Sequence, residues 1–255
     1  MHQLTIVKVG GKIIETPETL KALLTDFALI AGSKILIHGG GRSATQIGEK
    51  LGIETKMIDG RRITDEETLK VITMVYAGLV NKNIVARLQA LQLDAIGLTG
   101  ADMNLILSAR RPAAPIDYGY VGDIKEVNVS VLAELLEQNY IPVLAPVTHD
   151  GEGQLLNTNA DTIAAEVAKA LAHTFNVRLV YCFEKRGVLL NENDDNSIIG
   201  ELDRELFEQY KENGIIKDGM IPKIENALQA ITAGVKEIII TRAEDMNTGK
   251  GTFIQ

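Results

Sequence analysis

Residues 4–10, LTIVKVG, and the glycine that follows them, Gly11, decide the fold class of this chain. Their β-branched residues predict a buried strand, and the pair Gly10-Gly11 predicts a tight turn where that strand ends. Residues 34–41, KILIHGGG, show the same pattern, a strand that ends in three glycines. A helix should follow, and we expect Ser43 to cap it. The chain therefore begins with two strand–glycine–helix units.

The alternation of strands and helices continues to the C-terminal end. Further apolar strands are predicted at residues 95–98, 141–146, 179–183 and 237–241. Helical patterns cover residues 17–30, 43–51, 66–91, 130–138, 162–171, 204–213 and 223–233. Short and almost wholly apolar strands between helices indicate a parallel sheet that is covered on both faces. We therefore predict an α/β fold.

An open, doubly wound sheet and a closed barrel of eight βα units share this pattern. We favour the open sheet because glycine clusters follow the first two strands and because two stretches are typical of hairpins. One stretch is residues 53–64, where Asp59-Gly60 favours a type I′ turn, and the other is residues 105–127.

The chain is predicted to form one domain of two lobes. It contains no Pro/Ser-rich linker, low-complexity tract or clear internal repeat. The polar stretch THDGEG, residues 148–153, is the candidate boundary between an N-terminal lobe of residues 1–149 and a C-terminal lobe of residues 150–255.

Composition excludes several classes of protein. With 26 basic and 34 acidic residues, the 255-residue chain carries a formal net charge of −8, which, without a basic block, argues against nucleic acid or an anionic membrane as a partner. Hydrophobic residues at 45% and charged residues at 24% exclude a disordered or fibrous chain.

No apolar run approaches the roughly 18–20 residues of a membrane span, and no signal-peptide pattern opens the chain, so we expect a cytoplasmic protein. The single cysteine, Cys182, excludes an internal disulfide and a multi-thiolate metal site.

The glycine clusters are the strongest functional signal in the sequence. Gly10-Gly11 and Gly39-Gly40-Gly41 both follow strands, so both belong at the carboxyl edge of the sheet, where open α/β folds bind ligands. Bare N–H groups beside a helix N-terminus favour an anion. Two ordinary tight turns are the alternative interpretation. Neither cluster matches the Walker A pattern. No GxGxxG opens a helix, so the usual sequence evidence for dinucleotide binding is absent.

Two lysines lie where a cation is costly. Lys8 falls inside an apolar strand, and Lys223 falls just inside a helix start, where the helix dipole disfavours a positive charge. An edge-strand lysine that reaches water is the alternative for Lys8. Asn157, Asn159 and Asp161, in the run NTNAD, combine amide donors with a carboxylate before another helix, although helix capping alone would explain one of them.

Eight motifs follow one another between Ile6 and Ile254: KVGGK, LIHGGG, DGRRITD, GLTGAD, YVGDI, GQLLNTNAD, IIKDGMIPK and GKGTFI. In this order they resemble the amino acid kinase family, and within it the branch whose acceptor is an acylated glutamate. The resemblance implies a three-layer αβα sandwich with a mainly parallel eight-stranded sheet. It also implies that the N-terminal lobe binds the acylglutamate and forms a homodimer, and that the C-terminal lobe binds ATP with Mg²⁺.

The resemblance also assigns roles to single residues. Lys8 and Lys223 would stabilise charge on the transferring phosphoryl group, and Asp161 would hold both ammonium groups in place. The remaining residues would bind substrate (Gly40, Gly41, Arg62 and Asn157) or phosphate (Gly10, Gly11 and Gly39), and none would bind a metal. One departure is residues 183–187, FEKRG, where the family has a Ser/Thr-Asp-Val segment, and this leaves the nucleotide contacts of that loop open.

The implied reaction is ATP-dependent phosphorylation of the side-chain carboxylate of N-acetyl-L-glutamate, the second step of arginine biosynthesis. A carboxyl group with a pKa near roughly 4.3 is already ionised at neutral pH, so no general base is needed and catalysis rests on positioning and electrostatics. The alternatives are N-succinyl-L-glutamate as acceptor, favoured by Arg61 beside Arg62, another small-carboxylate or carbamate kinase of the same fold, and a catalytically silent binding protein.

Three other features have ordinary interpretations. His38 has no second histidine at metal spacing, and we expect a hydrogen-bonded residue at the end of a strand instead of a base. Cys182 is expected to be a small core residue. Charged residues near the start of the long helix are expected to form a solvated face (Glu66, Glu67 and Lys70).

Overall fold

The computed structural model describes residues 1–58, 61–217 and 219–255. Its strands are β1 (Gln3–Val9), β2 (Ser33–His38), β3 (Met57–Ile58), β4 (Arg61–Arg62), β5 (Ala95–Leu98), β6 (Ile106–Arg110), β7 (Gly122–Val127), β8 (Ile141–Leu144), β9 (Val147–His149), β10 (Leu155–Asn157), β11 (Asn176–Phe183), β12 (Glu201–Leu202), β13 (Glu237–Arg242) and β14 (Thr252–Ile254).

The α-helices lie between these strands and on both sides of the sheet. They are α1 (Gly11–Glu15), α2 (Pro17–Ala28), α3 (Gly41–Lys50), α4 (Glu66–Ile72), α5 (Asn81–Ala90), α6 (Val129–Glu137), α7 (Ala160–Leu171), α8 (Arg204–Glu212) and α9 (Met220–Thr232). A π-helical segment, Thr73–Val80, joins α4 to α5.

Eight strands form the main sheet in the order β12-β14-β13-β11-β1-β2-β8-β5. All neighbouring pairs are parallel except β13 and β14. The open, mainly parallel eight-stranded sheet predicted from the sequence is therefore confirmed, and the barrel is excluded.

Alternating side chains of β1 enter two separate hydrophobic cores. Leu4 and Ile6 pack with α7 and α9 on one face, and Val7 and Val9 pack with α2 and α5 on the other. This follows from the twofold period of a strand. The arrangement confirms the three-layer αβα sandwich. Because Lys8 continues the series of Leu4 and Ile6, its side chain lies on the α7 face.

A second sheet of four strands, β10-β9-β6-β7, stands beside the main one. The predicted hairpin of residues 105–127 is confirmed by the antiparallel pair β6–β7. The hairpin of residues 53–64 is confirmed by the pair β3–β4, whereas its predicted turn, Asp59-Gly60, lies outside the described residues. The β9–β10 hairpin was not predicted, and the candidate lobe boundary at residues 148–153 lies in it. The division into two lobes stays a prediction.

Helix starts required the main corrections. We expected Ser43 to cap the helix after β2, but α3 begins at Gly41 and follows Gly40, whose φ of +155° suits only glycine. Helix α7 begins at Ala160 instead of residue 162, because the Asn159 side chain accepts the N–H groups of Asp161 and Thr162. The short helix α1 was not predicted.

The continuous helix from Glu66 to Ala90 is long and apolar enough, by length and composition alone, to cross a membrane. However, 44% of its apolar window is buried inside the protein. Buried members such as Ile72, Val75 and Ile84 belong to the core under β1 and β2. Packing in the core thus explains part of the apolar character of this helix.

Candidate active site

Three charged side chains form one cluster at the carboxyl edge of the main sheet. Lys8 comes from the end of β1, Asp161 from the first turn of α7, and Lys223 from the first turn of α9. The Nζ atom of Lys8 lies 2.8 Å from Asp161 Oδ1, and that of Lys223 lies 2.8 Å from Asp161 Oδ2. One carboxylate therefore holds two ammonium groups, and the cluster keeps a net positive charge.

Local structure explains how these side chains meet. Asn159 caps α7 by accepting the N–H groups of Asp161 at 2.8 Å and Thr162 at 3.0 Å, so Asp161 emerges at the helix start. The lysine of α9 lies beside two aromatic rings, with its Nζ atom 5.1 Å from the ring centre of Tyr181 and 5.9 Å from that of Phe183. Cation–π contacts of this kind hold an ammonium group away from bulk water.

Burial and charge act in opposite directions on this cluster. Burial alone would raise the pKa of the Asp161 carboxyl, but the ammonium groups of Lys8 and Lys223 outweigh it and hold that pKa well below its usual range. Burial, together with repulsion from Lys8, lowers the pKa of Lys223, and Asp161 offsets this only in part. A buried excess of one positive charge is stabilised when an anion binds next to it.

The two glycine clusters touch and differ in how their N–H groups are used. The N–H of Gly10 donates to Cys182 O at 3.0 Å, and that of Gly39 donates to Val9 O at 3.2 Å, so both extend the strand ladders. Within the described part of the chain, no protein acceptor is found for the N–H groups of Gly11, Gly40 and Gly41. These three amides are the ones open to a ligand.

A cavity of about 410 Å³ joins the lysine cluster to the glycines. Of the predicted site residues, those on its wall are Lys8, Gly11, Gly39, Gly40, Gly41, Arg62, Asn157 and Asp161. Gly10 and Lys223 are outside this lining, although Lys223 reaches it through Asp161. Residues brought together from almost the whole chain thus surround one space.

Arg62 is held rigidly at one side of the cavity. Its Nη1 atom donates to Thr55 Oγ1, and its Nη2 atom donates to Gly41 O and Thr45 Oγ1, each at 2.8 Å. A guanidinium has five N–H donors, and beyond these three bonds the Arg62 side chain also borders the cavity. Asn157 is held by the same segment, since its Nδ2 atom donates to Thr64 Oγ1 at 3.0 Å.

Several residues of the cavity were missed by sequence reasoning. The Tyr76 ring lies directly under Gly40, where a Cβ atom would come within 2.9 Å of the ring. An ion pair between Arg111 and Asp123 forms part of the wall. Tyr76 has the pattern of a core residue, and although Asp123 lies in the motif YVGDI, its pairing with Arg111 depends on the β6–β7 pairing. Arg61, the residue on which the succinyl alternative depends, is exposed and borders the cavity.

A second cleft of about 390 Å³ opens beyond the lysine cluster. Apolar residues of the loop after β11 and of the segment before α9 line it, including Val188, Leu189 and Ile216. Lys12 and Glu184, which form an ion pair, border both this cleft and the first cavity. The two spaces therefore meet at this ion pair.

The sequence profile of the amino acid kinase family matches residues 3–242 of the chain. The chain belongs to the amino acid kinase family. It is similar to a Parabacteroides distasonis protein named acetylglutamate kinase, with 65% identity over 100% of both chains. A Methanopyrus kandleri protein of the same name is 38% identical, covering 98% of this chain and 99% of that one. A crystal structure of a Streptococcus mutans UA159 protein superposes with a TM-score of 0.84 at 27% identity, covering 99% of this chain and 98% of that one.

Other residues of this amino acid kinase behave as the sequence predicted. His38 is fully buried and hydrogen-bonded at the end of β2, and Cys182 is a core residue whose thiol pKa is raised by burial to about 12. The ordinary interpretation of both is confirmed. At the start of α4, Lys70 pairs with Glu66 and Glu67 on an exposed face, also as expected.

Proposed function

We propose that this amino acid kinase transfers the γ-phosphoryl group of ATP to the side-chain carboxylate of N-acetyl-L-glutamate, as in the second step of arginine biosynthesis. The observation that carries the proposal is the Lys8–Asp161–Lys223 cluster, which holds an excess positive charge at the wall of the first cavity. The full-length relatives named acetylglutamate kinase support the choice of acceptor.

The chemistry needs positioning and charge compensation. An acceptor carboxylate oxygen attacks the γ-phosphorus, a new O–P bond forms, and the bond to the β,γ-bridging oxygen breaks as ADP leaves with the electron pair. The attacking group is already an anion, so no proton has to be removed. Lys8 and Lys223 would stabilise the charge of the transferring group, and Asp161 would keep the two ammonium groups from separating.

The first cavity is proposed to bind the acceptor. The Arg62 guanidinium on the cavity wall would bind a carboxylate of the acylglutamate, and Gly40 and Gly41 line the same space. Asn157 would bind the polar groups next to that carboxylate. Gly11, from the other glycine cluster, would donate to the phosphate. Gly10 and Gly39 would act indirectly, since their own N–H groups hold the strands together.

The second cleft is proposed to bind ATP, which places the nucleotide in the C-terminal lobe of residues 150–255. Its apolar side chains suit an adenine ring, and Lys12 lies between this cleft and the acceptor cavity. Among the described residues, no three His, Cys, Asp or Glu side chains converge to hold a metal, and both oxygens of Asp161 face lysines. Mg²⁺ would therefore be bound chiefly by the phosphates of ATP.

A cytoplasmic homodimer is proposed for the assembled enzyme. The π-helical segment in the N-terminal lobe exposes Met74 by 54% and Leu79 by 50%. Large apolar side chains on one helix are suited to packing against a second copy. Size-exclusion chromatography with light scattering should give twice the monomer mass, and Met74→Glu should shift it to the monomer.

The activity is tested by trapping the acyl phosphate as a hydroxamate while ADP formation is followed. N-acetyl-L-glutamate, N-succinyl-L-glutamate, L-glutamate and carbamate would be compared as acceptors with the same enzyme. If L-glutamate and carbamate were phosphorylated as fast as N-acetyl-L-glutamate, an acylglutamate acceptor would be rejected. Absence of both ADP and hydroxamate with every acceptor would favour a silent binding protein.

The succinyl acceptor is the second candidate because Arg61 borders the cavity. The relatives favour the acetyl acceptor. If Arg61 binds a succinyl carboxylate, Arg61→Leu should lower kcat/KM for the succinyl acceptor alone. An equal effect on both acceptors would exclude this role.

A further inference from the structure

His38 and Asn81 form a buried pair behind the glycine cluster. His38 is the last residue of β2, Asn81 is the first of α5, and they are 0% and 1% exposed. The Nδ1 atom of His38 lies 2.7 Å from the carbonyl oxygen of Gly39, and its Nε2 atom lies 3.1 Å from Asn81 Nδ2. Neither side chain has a part in the phosphoryl transfer described above.

These contacts allow only one form of the imidazole ring. A carbonyl oxygen only accepts, so the Nδ1 atom facing Gly39 carries the proton. Asn81 Nδ2 also donates to Val143 O at 2.9 Å, which directs the amide nitrogen, and not the amide oxygen, toward His38. The Nε2 atom is therefore a bare acceptor. Burial lowers the pKa of His38 to about 4, so the ring is neutral near pH 7.

The bond from His38 sets the direction of the next peptide group. In a trans peptide, the C=O and N–H groups point in opposite directions. A Gly39 carbonyl held against His38 in the core therefore directs the Gly40 N–H away from the core, toward the cavity that Gly40 lines. No residue with a side chain fits in place of Gly40, because its φ is +155° and the Tyr76 ring occupies the Cβ position. The orientation of its N–H group must therefore be set by neighbouring residues.

We propose that His38 is a positioning residue of the acceptor site: kept in its Nδ1–H form by Asn81, it orients the Gly40 N–H toward the acceptor substrate. The proposal rests on the proposed function, because it takes the acylglutamate as the ligand of Gly40. Phosphoryl transfer requires that the acceptor be held accurately, so a small displacement of this amide should be measurable in the kinetics.

The first test compares two replacements of His38. His38→Leu removes the donor, and kcat/KM for the acceptor should fall by about 10–100-fold, the effect expected of a misplacement near 1 Å. His38→Asn places an amide nitrogen at the position of Nδ1 and should recover most of the loss. The KM for ATP should change little in either variant. Ile35→Ala, a core change on the same strand, is the control for lost stability alone.

Results of this test separate positioning from packing. Equal losses in His38→Leu and His38→Asn would overturn the proposal, as would a Ile35→Ala variant with the same kinetic defect at a matched fall in Tm. Wild-type kinetics in His38→Leu would also overturn it. A wild-type enzyme that phosphorylates no acceptor would reject the proposed function instead. In that case ¹⁵N NMR of labelled histidine would still test the ring, and an Nε2–H form would overturn the assignment.

The second test uses the pH profile of Asn81→Asp. A carboxylate opposite Nε2 raises the pKa of His38 and, above that pKa, retains the proton on Nε2, which leaves a bare Nδ1 facing Gly39. Activity relative to wild type should therefore fall as pH rises. Of the nearby charged groups, Lys82 on α5 disfavours the imidazolium, Lys8 on β1 already has a carboxylate partner, and β8 carries no titratable side chain. A profile parallel to that of wild type would overturn the proposal.

Discussion

Two buried lysines on adjacent strands serve opposite edges of the same sheet. Lys8, 9% exposed, lies near the carboxyl end of β1 and faces a carboxylate. Lys34, 6% exposed, lies near the amino end of β2, where its Nζ atom donates to Phe27 O at 3.3 Å, Ala28 O at 3.0 Å and Ile30 O at 2.7 Å. One lysine is part of a charged cluster, and the other caps a helix.

The difference follows from the direction of the helices. The C-terminal end of α2 meets the amino edge of the sheet, and its carbonyl groups satisfy the ammonium of Lys34. Helices α1, α3 and α7 begin at the carboxyl edge, where N–H groups repel a cation. Lys8 therefore needs Asp161, and the shared carboxylate leaves charge for a ligand. The same residue type is structural at one edge and is available for catalysis at the other.

Replacing Lys8 should have the largest effect. In Lys8→Met we expect kcat to fall by about 10²–10³-fold or more, as for loss of one transition-state donor. The fold should survive, because Asp161 and Lys223 remain as a balanced pair. Lys223→Met should behave alike. Steady-state kinetics with saturating substrates and circular dichroism check both points, and turnover near that of wild type would contradict the catalytic role.

Asp161→Asn should destabilise the protein, since it leaves two buried ammonium groups without a carboxylate. We expect a loss of about 3 kcal/mol in the free energy of unfolding at pH 7. The pKa of Asp161 is lowered in the folded state, so its stabilisation is complete above the unfolded pKa near roughly 4 and is lost as pH falls below it. Urea unfolding should show that the difference in the free energy of unfolding between wild type and Asp161→Asn is smaller at pH 3 than at pH 7. The same difference at both pH values would contradict the pairing.

Lys34→Met should lower stability and leave turnover unchanged, the opposite of what we expect for Lys8→Met. The free energy of unfolding should fall by about 1–2 kcal/mol, because carbonyl groups at the end of α2 lose their donor. The kcat of the remaining folded enzyme should be unchanged. A matched pair of melting curves and assays at a temperature where both proteins are folded gives the comparison. A loss of turnover without a loss of stability would show that the two edges are not separate in function.

The ion pair between Lys12 and Glu184 should have the smallest effect on stability. The two side chains are 45% and 42% exposed, so water and salt screen the pair. A double-mutant cycle of Lys12→Met and Glu184→Gln should give a coupling energy below about 1 kcal/mol. A larger value would mean that the loop after β11 is anchored through this contact.

Six strands of the main sheet were predictable because they are short and mostly apolar, whereas β12 and β14 at one edge of the sheet were not predicted. A central parallel strand is buried on both faces, so its sequence carries the signal without reference to its neighbours. The glycine clusters were predictable for a similar reason, since a chain that leaves a strand for a close turn needs them locally. The two costly lysines, Lys8 and Lys223, also stood out against their own helix or strand.

Contacts between distant segments could not be derived from local residue patterns, and only the resemblance to the family paired Asp161 with the two lysines. Asp161 holds Lys223 across 62 positions and Lys8 across 153 (161 − 8), and nothing local states which carboxylate will meet which lysine. The contact of Tyr76 with Gly40 and the His38–Asn81 pair likewise form only when helices pack against the assembled main sheet. Local residue types set the strands, turns and helix ends through short-range sterics, whereas the packing of whole layers decides which polar groups face each other.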